Sequence, residues 1–392
     1  MGLEPYEGRY TLQLTDWTER VYKKRGIEYV IVPGTTIDDS KAIVTGQVLD
    51  AHGRSYYSLS QTMNLVQKMK NGEITSDDVI FYEDMFTPGL ECLPYIMDQS
   101  PPEYRPKVYL RFLAQTTDPD DFLIREGMFH WMRKYEEMVD EFVDGICVAS
   151  EEFVAHLRIA GLKAPIYVTG LPYGKEEVRG RIDTNIPLDE RTKRVGFAAR
   201  WDDEKQPHFY MDLAEAYYKV DPNTEFAIFC GHPELKSNDQ EYVDRAMALQ
   251  EGNTANFKVY TGLKKNDYYN YLADSQVLFN CALQDWVSNT VSEADTMGTL
   301  TLYPAYRSFP EVFANNGNHL YVPWSIEDAK DKLTKMFNSI DNNDLSSYNI
   351  GKISDYQNGT IDRTIDVLEG NGEQWARNDW GFRKHVAKAK YE

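Results

Sequence analysis

Basic residues are in short supply. The 392-residue chain carries 42 Lys and Arg against 62 Asp and Glu, a formal net charge of −20. Bulk electrostatics therefore oppose a polyanionic partner, and a nucleic acid would need a local basic groove. Cysteine is scarce as well. Cys92, Cys147, Cys230 and Cys281 form no C-x-x-C pair, which argues against a metal cluster or a disulfide framework and for reduced, structural thiols. No apolar run approaches the roughly 20 residues that span a bilayer. The opening "MGLEPYEGRY" lacks the basic-then-apolar pattern of a signal peptide. A cytoplasmic protein is the expectation.

What is present is a globular composition, 42% apolar, in a chain longer than the roughly 250–300 residues that one core serves. Strand-like and helix-like segments alternate, which predicts an α/β fold. The first series includes "IEYVIVPG", "DVIFYED", "KVYLRFLAQ", "GICVAS" and "APIYVTGLPYG" as strands, with helices between them. A helix is expected at about 10–25, and the strand that should precede it is either very short or missing. The second series runs through "KRVGFAAR", "EFAIFCG", "FKVYTG", "QVLFNCA", "TLTLYP" and "HLYVPW". A helix "IEDAKDKLTKMFNSI" and a polar tail follow. The charged segment 173–194 has no sustained periodicity and reads as a linker. The expected organisation is a first domain over 1–178, a second over 190–365, and a tail over 366–392 returning to the first. Parallel sheets of this kind bind ligands beyond the carboxyl ends of their strands.

Two constellations carry chemistry. The strand "VGFAA" delivers Arg200 at its carboxyl end, Lys205 follows, and Pro207 suits the first turn of the next helix. Two cations beside a helix N-terminus make an anion site. The plain alternative is a surface cluster paired with Asp202, Asp203 and Glu204. Further on, "QVLFNCA" ends in a polar loop holding Asp285. A helix starts near Asn289, with Ser288 or Asn289 as its N-cap. Glu293 lies eight positions after Asp285, and Gly298 closes the helix. The N–H groups of 289–291, including Asn289 and Thr290, suit a phosphate. The Glu293 carboxylate suits two vicinal hydroxyls. A first-turn Glu that simply complements the helix dipole is the alternative.

Together these residues resemble the donor-binding domain of GT-B glycosyltransferases, especially the large retaining family four. Arg200 and Lys205 match that family's Arg and Lys. Asp285 and Glu293 match its E-x7-E pair, with Asp in the first position. The resemblance covers roughly 190–325 well and the first half more loosely. It implies two Rossmann-like domains facing across a cleft and a nucleoside-diphosphate sugar as co-substrate, with UDP the leading nucleotide. It implies hexosyl or pentosyl transfer with no metal and no other cofactor. Arg200 and Lys205 would hold the diphosphate, Glu293 the ribose and Asp285 the transferred sugar. His232, after Gly231, would lie near the nucleotide.

The first domain would then hold the acceptor. Gly8, Arg9 and Tyr10 sit where a first loop approaches phosphates, Gly8 serving the donor and Arg9 the acceptor. Gln115 and Asp118 follow the strand "KVYLRF", and Asp84 follows "DVIFYE". Asp118 is the candidate beside the reacting carbon and the candidate base; a turn carboxylate before Pro119 is its alternative. The D-x-D of 118–120 also fits the metal site of GT-A enzymes, but that leaves the second series without a purpose. Resemblance to tailed-phage enzymes suggests hydroxymethylated pyrimidine in DNA as acceptor, in a host cytoplasm. Its basic flank would come from 20–25, 191–194 and 382–390. A glycan or small-molecule acceptor, an epimerase, a phosphorylase and a non-catalytic sugar-nucleotide binder are the other readings.

Overall fold

The computed structural model describes residues 1–3, 17–37, 51–113, 116–183, 185–283 and 285–375. These residues form two compact units. One comprises Met1–Tyr173 and the returning stretch from Gly359 on, and the other comprises Gly174–Asn358.

The first unit is a six-stranded parallel sheet, ordered β2-β1-β3-β4-β5-β6. Its strands are β1 (Gly2–Leu3), β2 (Ile31–Val32), β3 (Val79–Tyr82), β4 (Lys107–Arg111), β5 (Gly145–Val148) and β6 (Ile166–Val168). The missing first strand of the pattern is thus the two-residue β1, which pairs in parallel with both β2 and β3. Sequences such as "VIFY" and "GICV" are apolar without alternation because helices cover both faces of a parallel sheet. Gly145 is needed for a close approach. A Cβ there would sit 2.7 Å from the Tyr109 ring and 2.8 Å from the Tyr167 ring. The helix Glu151–Ile159 starts where the Ser150 hydroxyl accepts the Phe153 N–H at 3.2 Å.

The segment after 341, read from sequence as a polar tail, contains the helices Lys352–Asn358 and Thr360–Leu368. Ile361, Ile365 and Val367 give the second of these its buried stripe. That helix belongs to the first unit. Val367 packs against Phe81, Tyr109 and Cys147. The buried Arg111 guanidinium donates to the Thr364 hydroxyl at 3.2 Å and pairs with Glu83 at 3.3 Å.

The second unit is also a six-stranded parallel sheet, ordered β12-β11-β10-β7-β8-β9. The strands are β7 (Thr192–Phe197), β8 (Glu225–Phe229), β9 (Phe257–Tyr260), β10 (Ser275–Phe279), β11 (Leu300–Pro304) and β12 (Leu320–Tyr321). Its core is aromatic. Phe197, Phe209, Tyr210, Phe226, Phe257, Phe279 and Tyr321 are buried together. The Tyr210 hydroxyl donates to the Val195 carbonyl at 2.7 Å, so this ring is buried without an orphaned polar atom. The segment 173–194 holds a helix at Lys175–Arg179, a 3-10 turn at Leu188–Glu190 and the start of β7. Its charges are spent locally. Arg191 donates to the Met297 carbonyl at 2.7 Å and to the Thr299 hydroxyl at 3.0 Å. Lys193 pairs with Asp221 at 2.9 Å, and Arg194 pairs with Glu225 and Asp274.

His319 is buried just before β12 and stacks on Phe313, 4.9 Å between centroids. Its Nδ1 lies 2.9 Å from the Thr301 carbonyl, so Nδ1 carries the hydrogen and Nε2 is left buried without a partner. Burial lowers its pKa to about 4. The unfolded chain therefore binds this proton below about 6.5 and the folded chain only below about 4, so stability falls as pH drops through that window. The His319 share is about 3 kcal/mol at full protonation. Urea melts between pH 7 and pH 4 should show this loss, and His319→Gln should flatten it; an unchanged pH slope would contradict the assignment.

Candidate active site

β7 ends at Phe197, and Ala198 and Ala199 carry the chain past the sheet edge to Arg200. Trp201 then turns back into the core, its ring 5.2 Å from Phe197. The acids that follow are divided among different partners. Asp202 accepts the Asn238 N–H at 2.9 Å, and Asp203 accepts the Tyr242 hydroxyl at 2.8 Å. Glu204 pairs with the half-exposed Arg200 at 2.6 Å. The 3-10 turn Asp203–Lys205 ends at Gln206, whose φ and ψ of 52° are left-handed. Pro207 is then the first residue of the helix Pro207–Tyr218.

β10 lies beside β7 with Phe279 level with Phe197. Their outgoing loops are joined. The Leu283 N–H donates to the Glu204 carbonyl at 2.9 Å. Lys205, only 7% exposed, pairs with Asp285 at 3.3 Å. The Ser308 hydroxyl, from the loop after β11, donates to the Asp285 carbonyl at 3.1 Å and also to that of Trp286. Arg307 from the same loop donates to the Leu283 carbonyl at 3.3 Å. Residues 200, 205 and 285, separated in sequence, are thus assembled at one sheet edge.

The helix Asn289–Thr296 follows, with Ser288 as N-cap and no side-chain cap bond. The Ser288 hydroxyl is instead 2.7 Å from that of Thr290, which also lies 3.2 Å from the Tyr303 hydroxyl. Of the three N–H groups expected at the helix start, that of Val291 donates to the Ser288 carbonyl at 3.2 Å. Of the N–H groups expected to meet an anion, those of Asn289 and Thr290 therefore remain. At the other end, Gly298 adopts φ +70°. Its N–H meets the Asp295 carbonyl at 3.2 Å, and the Thr299 N–H meets that of Ala294 at 3.0 Å, the two bonds of a Schellman stop. Asp295 anchors the helix by accepting the N–H groups of Gly351 and Ser354, each at 2.8 Å. Burial nonetheless pushes its carboxyl up.

Glu293 is one turn into this helix and 3% exposed. Its carboxylate is already engaged. Lys265 donates at 2.8 Å, Tyr268 at 2.7 Å and Tyr269 at 3.1 Å. All three belong to the helix Lys265–Ala273, none of whose residues was among the candidates. The pattern K-x2-Y-Y within "KKNDYYNY" was the available signal. The expected bare acceptor is therefore a buried carboxylate with three donors.

His232 closes its own loop, with Nδ1 3.0 Å from the Glu234 carbonyl and 3.1 Å from the Glu234 N. Its carbonyl accepts the Gly262 N–H at 2.7 Å, placing the loop beside the start of the Lys265 helix.

In the first unit Asp84 and Asp118 already have partners. Asp118 is buried and accepts the Asp120 N–H at 3.0 Å, which is the turn geometry. Close by, buried Glu136 accepts the Thr116 N–H and hydroxyl, both at 2.7 Å, and burial raises its pKa to about 7. Asp84 pairs with Arg54 at 2.5 Å, and Arg54 lies over the Phe86 ring at 5.0 Å. Gly8, Arg9, Tyr10 and Gln115 lie outside the described residues. Among the described residues, no group of three or more His, Cys, Asp or Glu is placed to hold a metal ion. No described helix is long and apolar enough to cross a membrane.

Two all-parallel α/β units with this strand order define the GT-B fold. No protein-family model matches the chain, and no curated protein matches it in sequence. Solved structures match it in fold. Sucrose-phosphate synthase from Thermosynechococcus elongatus gives a TM-score of 0.63 at 10% identity, over 94% of this chain and 96% of that one. A glycosyltransferase from Rickettsia africae gives 0.60 at 12% identity, over 94% and 97%. The pneumococcal O-GlcNAc transferase GtfA, solved with UDP and GlcNAc, gives 0.53 at 12% identity. That comparison covers 81% of this chain but only 60% of GtfA, so the chain spans about three fifths of that relative.

Because Asp295 caps a neighbouring helix from a buried position, Asp295→Ala should destabilise the second unit by about 2 kcal/mol. A fall in the thermal midpoint checks this; an unchanged midpoint would show that the cap carries no stability.

Proposed function

We propose that the protein transfers a glycosyl group from a nucleoside-diphosphate sugar to a hydroxyl acceptor. One observation carries the reading. Arg200 and Lys205 share a sheet edge with Asp285 and with a helix start that has no side-chain cap. Cations and helix N–H groups converging on one place stabilise a phosphate-bearing leaving group as its charge grows. The fold neighbours include chains named as glycosyltransferases, one of them solved with UDP and GlcNAc.

On this reading Arg200 and Lys205 bind the diphosphate oxygens, and the N–H groups of Asn289 and Thr290 complete the cradle. Each cation has a carboxylate partner, Glu204 and Asp285 respectively. These partners orient the two cations before the donor arrives. The transition state resembles an oxocarbenium ion, and Asp285 is the acid paired with Lys205. Its carboxylate serves the sugar that is transferred, and Glu293 serves the ribose. UDP is the nucleotide we favour, and retention of configuration follows from the family resemblance. In that case a donor phosphate oxygen takes the acceptor's proton, and Asp118 is not required as a base.

The acceptor is better read as a sugar or small hydroxyl compound than as DNA. The net charge of −20 opposes a polyanion. Of the basic clusters expected to flank DNA, Arg25 pairs with Asp366 at 2.8 Å and Glu369 at 2.9 Å. Arg191, Lys193 and Arg194 are committed within the second unit. The cluster 382–390 lies outside the described residues. Retention on hydroxymethylated DNA at low salt would reverse this order.

A thermal-shift screen of UDP-, GDP- and ADP-sugars should give a rise with one nucleotide class. Arg200→Ala and Glu293→Ala should each lower affinity for that donor at least tenfold while the fold is kept. Release of nucleoside diphosphate only when an acceptor is added separates transfer from epimerisation. No shift with any donor, or wild-type affinity in both variants, would refute the reading.

A further inference from the structure

The surroundings of Glu293 say more about the donor site than the presence of a carboxylate does. A carboxylate offers about four lone-pair positions. Three hydrogen bonds are already made, from Lys265, Tyr268 and Tyr269. A vicinal diol needs two acceptor positions, so at least one present donor must leave before both ribose hydroxyls can bind.

The three donors are not equally able to leave. Tyr269 is buried in the core at 2% exposure. Tyr268 is half-buried, its ring 5.4 Å from that of Tyr269. Lys265 is the exposed one, with 47% of its side chain accessible. Its ammonium lies 4.9 Å and 4.5 Å from the centroids of the Tyr268 and Tyr269 rings. A cation released from Glu293 keeps that aromatic attraction. Lys265 is also the first residue of its helix, where a positive side chain opposes the helix dipole. Helix stability therefore does not account for a lysine there, whereas the bond to Glu293 does.

We propose that Lys265 is a displaceable latch on Glu293, and that its displacement sets how strongly the site prefers a nucleotide bearing ribose hydroxyls to one without them. The inference rests on the reading of Glu293 as the ribose acceptor. In the free protein Lys265 pairs the buried carboxylate. A ribonucleotide replaces the ammonium with its hydroxyls and pays for breaking the pair. A 2′,3′-dideoxynucleotide makes no such exchange and leaves Lys265 in place. Lys265 is thus a positioning and specificity residue acting through Glu293.

The test is calorimetric titration of the full chain with UDP, ADP and GDP and with their 2′,3′-dideoxy counterparts. Lys265→Met keeps the length and the apolar stem and removes the charge; Lys265→Arg restores a cation. For whichever base binds, Lys265→Met should tighten the ribonucleotide about fivefold, the scale of a partly exposed ion pair. The dideoxy form should stay within twofold of wild type, and Lys265→Arg should return the ribonucleotide towards the wild-type value. If Lys265 only attracted phosphate, Lys265→Met would weaken both forms alike, and that result overturns the latch. A wild-type ribonucleotide preference that Lys265→Met leaves unchanged or lowers also overturns the latch, and the latch alone. Equal binding of the two forms by the wild type, or no binding of any, overturns the ribose role of Glu293 and the latch with it.

Discussion

The parallel pairing of β7 with β10 is the constraint on which the rest of the second unit depends. Phe197 sits level with Phe279, so both chains leave the sheet at the same edge and at the same height. Arg200 comes three residues after Phe197 and Asp285 six residues after Phe279. Without that register the Lys205–Asp285 pair could not form. The register itself is held by packing. Phe209, Phe279 and Tyr321 stack within 6.2 Å of one another, and a slip of one residue would turn such rings to the opposite face. An aromatic core on one side of the sheet thus positions charges beyond its edge.

Charge is handled in the same economical way throughout. The chain has few cations, and in the described residues many of them are tied to specific carboxylates or carbonyls. Arg111 joins the returning helix to the first sheet through Thr364 and Glu83. Arg194 joins β7 to Glu225 and Asp274. Arg200, Lys205 and Lys265 also have acidic partners, Glu204, Asp285 and Glu293, but these three lie at or beyond the carboxyl edge of the second sheet. On the proposed reading, a pair there that can open receives an anion or a hydroxyl. Buried pairs such as Arg111 with Glu83 open only at a high desolvation cost and serve cohesion instead.

Much of the second unit was legible because its determinants are local. The apolar strands, Pro207 at a helix start, an N-cap at Ser288 or Asn289 and Gly298 at a left-handed stop all follow from short-range rules. A tail returning to the first domain was expected, but not the helix Thr360–Leu368. Its apolar residues make only a narrow stripe between acids, and its partners Phe81 and Tyr109 lie far earlier in the chain. Asp118 shows both kinds of signal at once. Its place after a strand suggested chemistry, while its carboxylate serves the Asp120 N–H.

The amino-acid sequence by itself determined the α/β class and the two series of strands, and it singled out Arg200, Lys205, Asp285 and Glu293. Periodicity, capping and turn chemistry act within a few residues, so they can be read from a string. Only the tertiary structure decided what those residues touch. It assigned Glu204 to Arg200, Asp285 to Lys205, and Lys265, Tyr268 and Tyr269 to Glu293. The physical reason is that a carboxylate's partners are set by distance in space. Lys265 and Glu293, 28 positions apart, meet at 2.8 Å because two helices are packed on one parallel sheet.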